Sequence, residues 1–247
     1  MQTQLQPAYD YIETEGVKIP YDPLIITPAI LRAIKLGYFE AEEAAQIPHI
    51  VEAEDVVLDM GAGIGFISTL IARHAKKVIS VEANPDLMPF MAELHRCNGV
   101  KNVERLNVVL GNPGLGEAEF YQRKDFWMGS LSAAPNAYVS TVMVPEMSLN
   151  QLLEQARVTM VVCDIEGAEA ALFNEVNFGD VTRVYLELHD HITGLKGVAA
   201  VFSAMAERGF AYDPRFSSGA IILFRKIESA ETLRPYAREQ LWDSTEL

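Results

Sequence analysis

The chain has 247 residues, 49% hydrophobic and 22% charged, which suits a soluble globular protein and excludes a disordered or low-complexity one. Its 34 acidic residues outnumber 20 basic ones, a net charge of −14. Phosphate backbones and anionic membranes are therefore poor partners, and neither nucleic acid nor a membrane is expected.

Cys97 and Cys163 lack metal or redox spacing and read as reduced thiols of a cytoplasmic protein. The first sixteen residues lack the basic and apolar regions of a secretory signal, and no apolar run is long enough to span a membrane.

Residues 1–54 are acidic and proline-rich. Thr27 and Pro28 ahead of the apolar 29–34 stretch have the order of an N-cap and a first-turn proline, and Gly37 would end that helix. A second short helix is predicted over 40–46, before Pro48, so this region reads as a helical cap or lid. From Asp55 the pattern alternates. Strands are predicted at 56–60, 78–82, 103–110, 158–163 and 181–188, and helices at 66–74, 85–98, 149–155, from about 168, and at 198–208. An insertion at 117–147 contains a hairpin of 118–121 with 138–144, a second hairpin pairs 210–212 with 220–224, and 227–247 forms an acidic tail. Alternation of this kind predicts an α/β, doubly wound, mostly parallel sheet, whose ligands bind beyond the carboxyl ends of the strands.

Chemistry-bearing residues gather at those ends. Asp59 precedes Gly61-Ala62-Gly63-Ile64-Gly65-Phe66 at a strand-to-helix turn, where glycine lets a ligand approach the backbone. A dinucleotide fingerprint would place glycine where Phe66 stands, and the Asp59 carboxylate suits a cationic ligand better than a pyrophosphate. With no Tyr-x-x-x-Lys pair either, a nicotinamide-dependent oxidoreductase is disfavoured. Glu82, beside Ala83 and the cap residue Asn84, stands where an acid takes ribose hydroxyls. Gly111 and Asn112 offer a turn whose amide side chain can both donate and accept. Asp164 and Glu166 point the same way at a strand end, as do Glu187 and His189, and a proton acceptor belongs there. Two histidines give too few ligands to assign a metal, and none is expected. Trp127 and Ser130, in the 124–132 loop, line a substrate pocket, pin the loop or contact a second copy.

Asp59-x-Gly61-x-Gly63-x-Gly65, Glu82 and the closing hairpin resemble the class I S-adenosylmethionine-dependent methyltransferases. The run Val162-Cys163-Asp164-Ile165-Glu166-Gly167-Ala168-Glu169, with Glu82-Ala83-Asn84-Pro85 and Leu186-Glu187-Leu188-His189, is similar to the FkbM family. Asparagine often replaces Gly63 in that family, and its Leu-Asp pair stands here as Leu149-Asn150. The resemblance covers Asp55 to Arg225 and implies a seven-stranded sheet. It also implies S-adenosylmethionine as cofactor and S-adenosylhomocysteine as product. The cofactor would be held by the turn from Asp59 to Phe66, by Glu82, Ala83, Asn84, Gly111 and Asn112, and by Asp164 at its methionine end. The implied reaction is methylation of a hydroxyl on a sugar, polysaccharide or secondary-metabolite acceptor, with His189 or Glu166 as base and Asp164 a further candidate. Partners are then a small-molecule or glycan acceptor, with a homo-oligomer through the insertion as an option. Alternatives are an N- or carboxyl-methyltransferase of the same fold and a catalytically silent cofactor-binding module.

Overall fold

The computed structural model describes residues 10–113 and 116–228, so all but the start of the acidic tail lies outside the described residues. In chain order the elements are β1 (Tyr11–Thr14), β2 (Val17–Pro20), α1 (Pro28–Leu36), α2 (Ala41–Ile50), β3 (Val56–Met60), α3 (Phe66–Ala72), β4 (Lys77–Val81), α4 (Met88–Cys97), β5 (Val103–Leu106) and β6 (Val109–Gly111). There follow β7 (Glu117–Gln122), β8 (Ser140–Ser148), α5 (Leu149–Ala156), β9 (Met160–Cys163), α6 (Glu169–Leu172), β10 (Arg183–Glu187), α7 (Asp190–Glu207), β11 (Phe210–Ser218) and β12 (Ile221–Lys226).

The main sheet has seven strands in the order β11-β12-β10-β9-β3-β4-β5. β10, β9, β3, β4 and β5 run parallel, while β12 is antiparallel to both β10 and β11. The central strands are apolar throughout because both faces are covered. Val57, Val78, Val162 and Tyr185 pack toward the cap and α3, whereas Leu58, Ile79, Val161 and Val184 pack with α5 and α7 on the other face. A separate sheet, β6-β8-β7, carries the insertion, with β7 and β8 paired antiparallel as expected.

Several expectations are corrected by the structure. The cap is not only helical. β1 and β2 form a hairpin turned at Glu15 and Gly16, both at positive φ, and strands of four residues carry too little periodicity to read in advance. α1 is as predicted: Thr27 accepts from the Ile30 amide, and Gly37 ends the helix in the left-handed region. α2 runs on through Pro48 to Ile50, because burial of Ile47 and Ile50 at 0% and 1% exposure holds its last turn. At about 1.5–3 kcal/mol per buried side chain, that packing offsets the proline's missing donor. The strand expected over 103–110 is broken at Asn107, whose side-chain amide donates to the Glu82 and Ala83 carbonyls at 2.9 and 3.0 Å, and β6 leaves for the other sheet. The helix expected from Val198 begins at Asp190 and is interrupted at Gly194. Among the described residues no helix is long and apolar enough to cross a membrane.

A buried arginine ties the cap to the sheet. Arg183 of β10 donates to Asp55 Oδ1 at 2.7 Å and to the Ile50 carbonyl at 2.9 Å, with both charged side chains under 10% exposed. Asp55 also accepts from the Glu52 amide at 2.7 Å and from the Thr159 hydroxyl at 2.7 Å. Removing the cation strands a buried carboxylate, so Arg183→Ala is expected to lower stability by about 3–5 kcal/mol. Urea unfolding followed by fluorescence checks this. A midpoint shift worth less than about 1 kcal/mol, the range of an exposed pair, would deny the tether its role.

Candidate active site

The glycine turn between β3 and α3 lies against the end of β9. A Cβ on Gly61 would stand 1.7 Å from the Asp164 carbonyl oxygen, and its φ of +80° is in the left-handed region, so glycine is required there twice over. The Gly61 and Ala62 amides donate to the Val81 carbonyl at 2.9 and 3.0 Å, which fixes the turn to β4. Gly63 donates to Glu82 Oε2 at 2.8 Å, and the Asn84 amide donates to Glu82 Oε1 at 2.6 Å. Each Glu82 oxygen keeps a lone pair for a ligand, and the residue lines a cavity over the turn.

That cavity also takes in Gly61, Gly63, Ala83, Asp164 and Glu166. Val108, Val109 and Leu110 make an apolar end, and Phe126, Trp127 and Ser130 close it from the insertion. Trp127 stacks on Phe39 of the cap with ring centroids 6.1 Å apart, and the Thr27 hydroxyl donates to Asp125 at 2.5 Å. The 124–132 loop thus both lines the cavity and is pinned to the cap. Ser130 is largely engaged within the loop, accepting from Arg123 at 3.0 Å.

Other expected cofactor residues are not among the cavity's lining. Phe66 is fully buried in the core, and Gly65 packs against Met91 and His95. Asn84 caps the following turn and accepts from Gln122 at 2.7 Å. Gly111 pairs with Ser148, and Asn112 Oδ1 accepts from the Asn150 amide at 3.2 Å.

Asp59 is 3% exposed and its Oδ2 has no hydrogen-bond partner. Burial pushes its carboxyl up to about 7, the Ser68 hydroxyl offsetting part of the rise. Glu82 is pushed up to about 7 by burial, against the pull of its two amide donors. The third pair of strand ends brings His189 Nε2 to 3.3 Å from Asp164 Oδ1 and 3.7 Å from Glu166 Oε2. Nδ1 of His189 lies 3.1 Å from Glu169 Oε1, and Glu169, 1% exposed, also accepts from the Gly167 amide at 3.0 Å. Burial works against a charged His189, but Asp164 and Glu169 outweigh it and raise the imidazole to about 11. Burial and the Asp164 charge raise Glu166 and Glu187 to about 7. Asp164, Glu166 and His189 also lie close enough together to hold a cation. Glu169 stood in the quoted run without a role, because its reach back to His189 follows from a helix only one turn long. Glu40, Glu43 and Tyr185 were not anticipated either.

A family model described as the TRM5/TYW2 methyltransferase domain matches residues 33–113, the segment from α1 to the end of β6. A probable ribosomal RNA small subunit methyltransferase A of Methanosarcina acetivorans is 43% identical over 71 residues, 29% of this chain and 24% of that protein. An uncharacterized protein of Methanocaldococcus jannaschii is 32% identical over 79 residues, 32% of this chain and 27% of that protein. The chain thus matches about a quarter of the length of these curated relatives. Among solved structures, Trm5b of Pyrococcus abyssi superposes with a TM-score of 0.50 at 13% identity, over 88% of this chain and 55% of that one. This chain has a methyltransferase fold. The match to a methyltransferase domain agrees with S-adenosylmethionine as the cofactor. The exclusion of nucleic acid is overturned, since a relative named as a ribosomal RNA methyltransferase matches 29% of the chain. Net charge sums over a whole surface, whereas an acceptor meets only a local field. The run 162–169 that carries the FkbM resemblance lies outside the matched segment.

The methyltransferase fold buries its acids at a cost that pH exposes. A carboxyl raised from its ordinary value to about 7 contributes stability in full below about pH 4 and loses it as pH rises through 7. The Tm advantage of Asp59→Asn over wild type in the free protein is therefore expected to grow between pH 5 and 8, by roughly 2–4 °C for each kcal/mol regained. Thermal unfolding across that range tests it, and a gap independent of pH would contradict it.

Proposed function

We propose that the chain transfers the methyl group of S-adenosylmethionine to an acceptor hydroxyl lying between Glu166, His189 and Glu187. The observation that carries the reading is the convergence of Asp59, Glu82 and Asp164 on one glycine turn, with no lysine or arginine among the cavity's lining residues. Glu82 would take the ribose hydroxyls, the apolar end at Val108, Val109 and Leu110 the adenine, and Asp59 with Asp164 the ammonium of the methionine end. The bound sulfonium supplies a methyl carbon already activated for displacement, so the protein's work is alignment, proton removal and exclusion of water.

Glu166 suits the proton acceptor best. Its carboxyl is raised to about 7, close to the working pH at which a base is most effective. His189 holds its own proton more tightly, and in this reading it positions Asp164 and Glu166. Positive charge on the cofactor beside Asp164 would loosen that proton and bring His189 closer to use as a base. Phe126 and Trp127, packed on Phe39, keep water from the reacting side.

The FkbM resemblance points to a sugar, polysaccharide or secondary-metabolite hydroxyl as acceptor. A second reading, an RNA acceptor, is favoured by the names of relatives that match 29% of the chain.

S-adenosylmethionine and S-adenosylhomocysteine at 100 times their dissociation constants should each raise stability by about 2.7 kcal/mol, while NADH should not. Absence of any shift with both adenosyl ligands would refute the reading. Transfer of labelled methyl to a panel of sugars, glycans and RNA transcripts then separates the acceptors, and stabilisation without transfer to any of them would favour a silent binding module. With the active acceptor, turnover should rise with pH through about 7. Glu166→Gln should lower kcat by about 10²–10⁴ and flatten that rise. A full pH profile in the variant would remove Glu166 from the role.

A further inference from the structure

A second, smaller cavity lies between the cap and the ends of β3, β9 and β10. Its wall holds five carboxylates, those of Glu40, Glu43, Asp59, Asp164 and Glu187, and no lysine, arginine or histidine. Two residues of this wall that are under 5% exposed carry a buried polar atom with no hydrogen-bond partner: Asp59 at Oδ2, 3% exposed, and Tyr185 at Oη, 1% exposed. A buried hydroxyl without a partner is uncommon and marks a place where a ligand completes the bonding.

The reading above gives the cofactor's ammonium to Asp59 and Asp164. That leaves Glu43 and Glu187 on the wall with Tyr185, and among the described residues no cation pairs with Glu43, while Glu187 has only the His189 ring nearby. We infer that this cavity receives a protonated amine belonging to the methyl acceptor, held by Glu43 and Glu187 and by the Tyr185 hydroxyl oxygen. The inference rests on the proposed function, and it names the acceptor class as a hydroxyl compound that also carries a primary ammonium. An ammonium has three donors and no acceptor, which matches a wall of oxygen atoms. Burial pushes Glu40 well up and raises Glu43, and the neighbouring acids add to both, so an added positive charge relieves repulsion already present. The cavity adjoins the first through Glu40, Gly61 and Asp164, so one acceptor can reach both.

The test uses the full chain and matched pairs differing only in the amine: glucosamine with N-acetylglucosamine, 5-aminopentanol with its N-acetyl form, and a peptide carrying serine and lysine with its acetyllysine form. Affinities are measured by calorimetry with and without S-adenosylhomocysteine. At least one free amine should bind about tenfold or more tightly than its acetylated partner, and the pair that responds separates amino sugar, amino alcohol and peptide sources. Glu43→Gln should erase that preference while leaving S-adenosylhomocysteine affinity within about twofold, and Tyr185→Phe should reduce it. Equal binding within every pair, or a preference untouched in Glu43→Gln, overturns the inference. Loss of S-adenosylhomocysteine binding alone refutes the cofactor reading instead, because the arm without it still reports on the amine.

Discussion

The contact on which the rest of the site depends is the approach of the Gly61 backbone to the Asp164 carbonyl, too close for any side chain to fit between. It exists because β3 and β9 are parallel neighbours at the sheet's centre, in register from Val57 with Met160 to Met60 with Cys163. Two turns leave that edge together. One carries Gly63 to the Glu82 carboxylate, and the other carries Asp164 and Glu166 toward His189. Gly61 at the crossing therefore sets the separation of the cofactor cavity from the acidic cluster, and the large-scale topology becomes local chemistry through one missing Cβ.

Around that crossing the molecule gathers carboxylates, with the His189 imidazole among them, while nearby arginines are committed elsewhere. Arg183 is committed to Asp55 and the Ile50 carbonyl at the opposite end of the strands, and Arg123 to carbonyls of its own loop at Met128 and Ser132. Acids left together in a region of low dielectric keep protons they would lose in water, and they favour any ligand that brings positive charge. The acidic composition is thus partly a property of the site. It says less about the outer surface, which is why it does not exclude a nucleic-acid acceptor.

Much of this was legible in the sequence, for reasons that can be named. β3 and the β7–β8 pair stand close to where alternation and turn residues put them, and α1 begins and ends on its Thr27 and Gly37 caps. Asp59, the glycine turn, Glu82, Asp164, Glu166 and His189 could be found because strand ends in a parallel sheet face one edge. The misses share a different cause. β1 and β2, the break at Asn107 and the passage of α2 through Pro48 are set by contacts distant in sequence, which periodicity does not encode. Glu43, on a short cap helix, and Tyr185, inside a core strand, belong to no motif that would single them out. Their meeting depends on how the cap packs across β10, which no spacing within 1–54 reveals.

The two thiols differ in a way that follows from the same sheet. Cys97 is partly exposed at the end of α4, whereas Cys163 is 2% exposed on β9, next to Asp164, and burial holds its thiol well above the ordinary value. A thiol reagent needs both contact and a thiolate, so it meets Cys163 only in moments when the central strands part. The chain thereby carries its own clock. The slow second phase of alkylation reports the free energy of opening at the strand that bears the site, and a ligand seated against Asp164 would lengthen it without any foreign label.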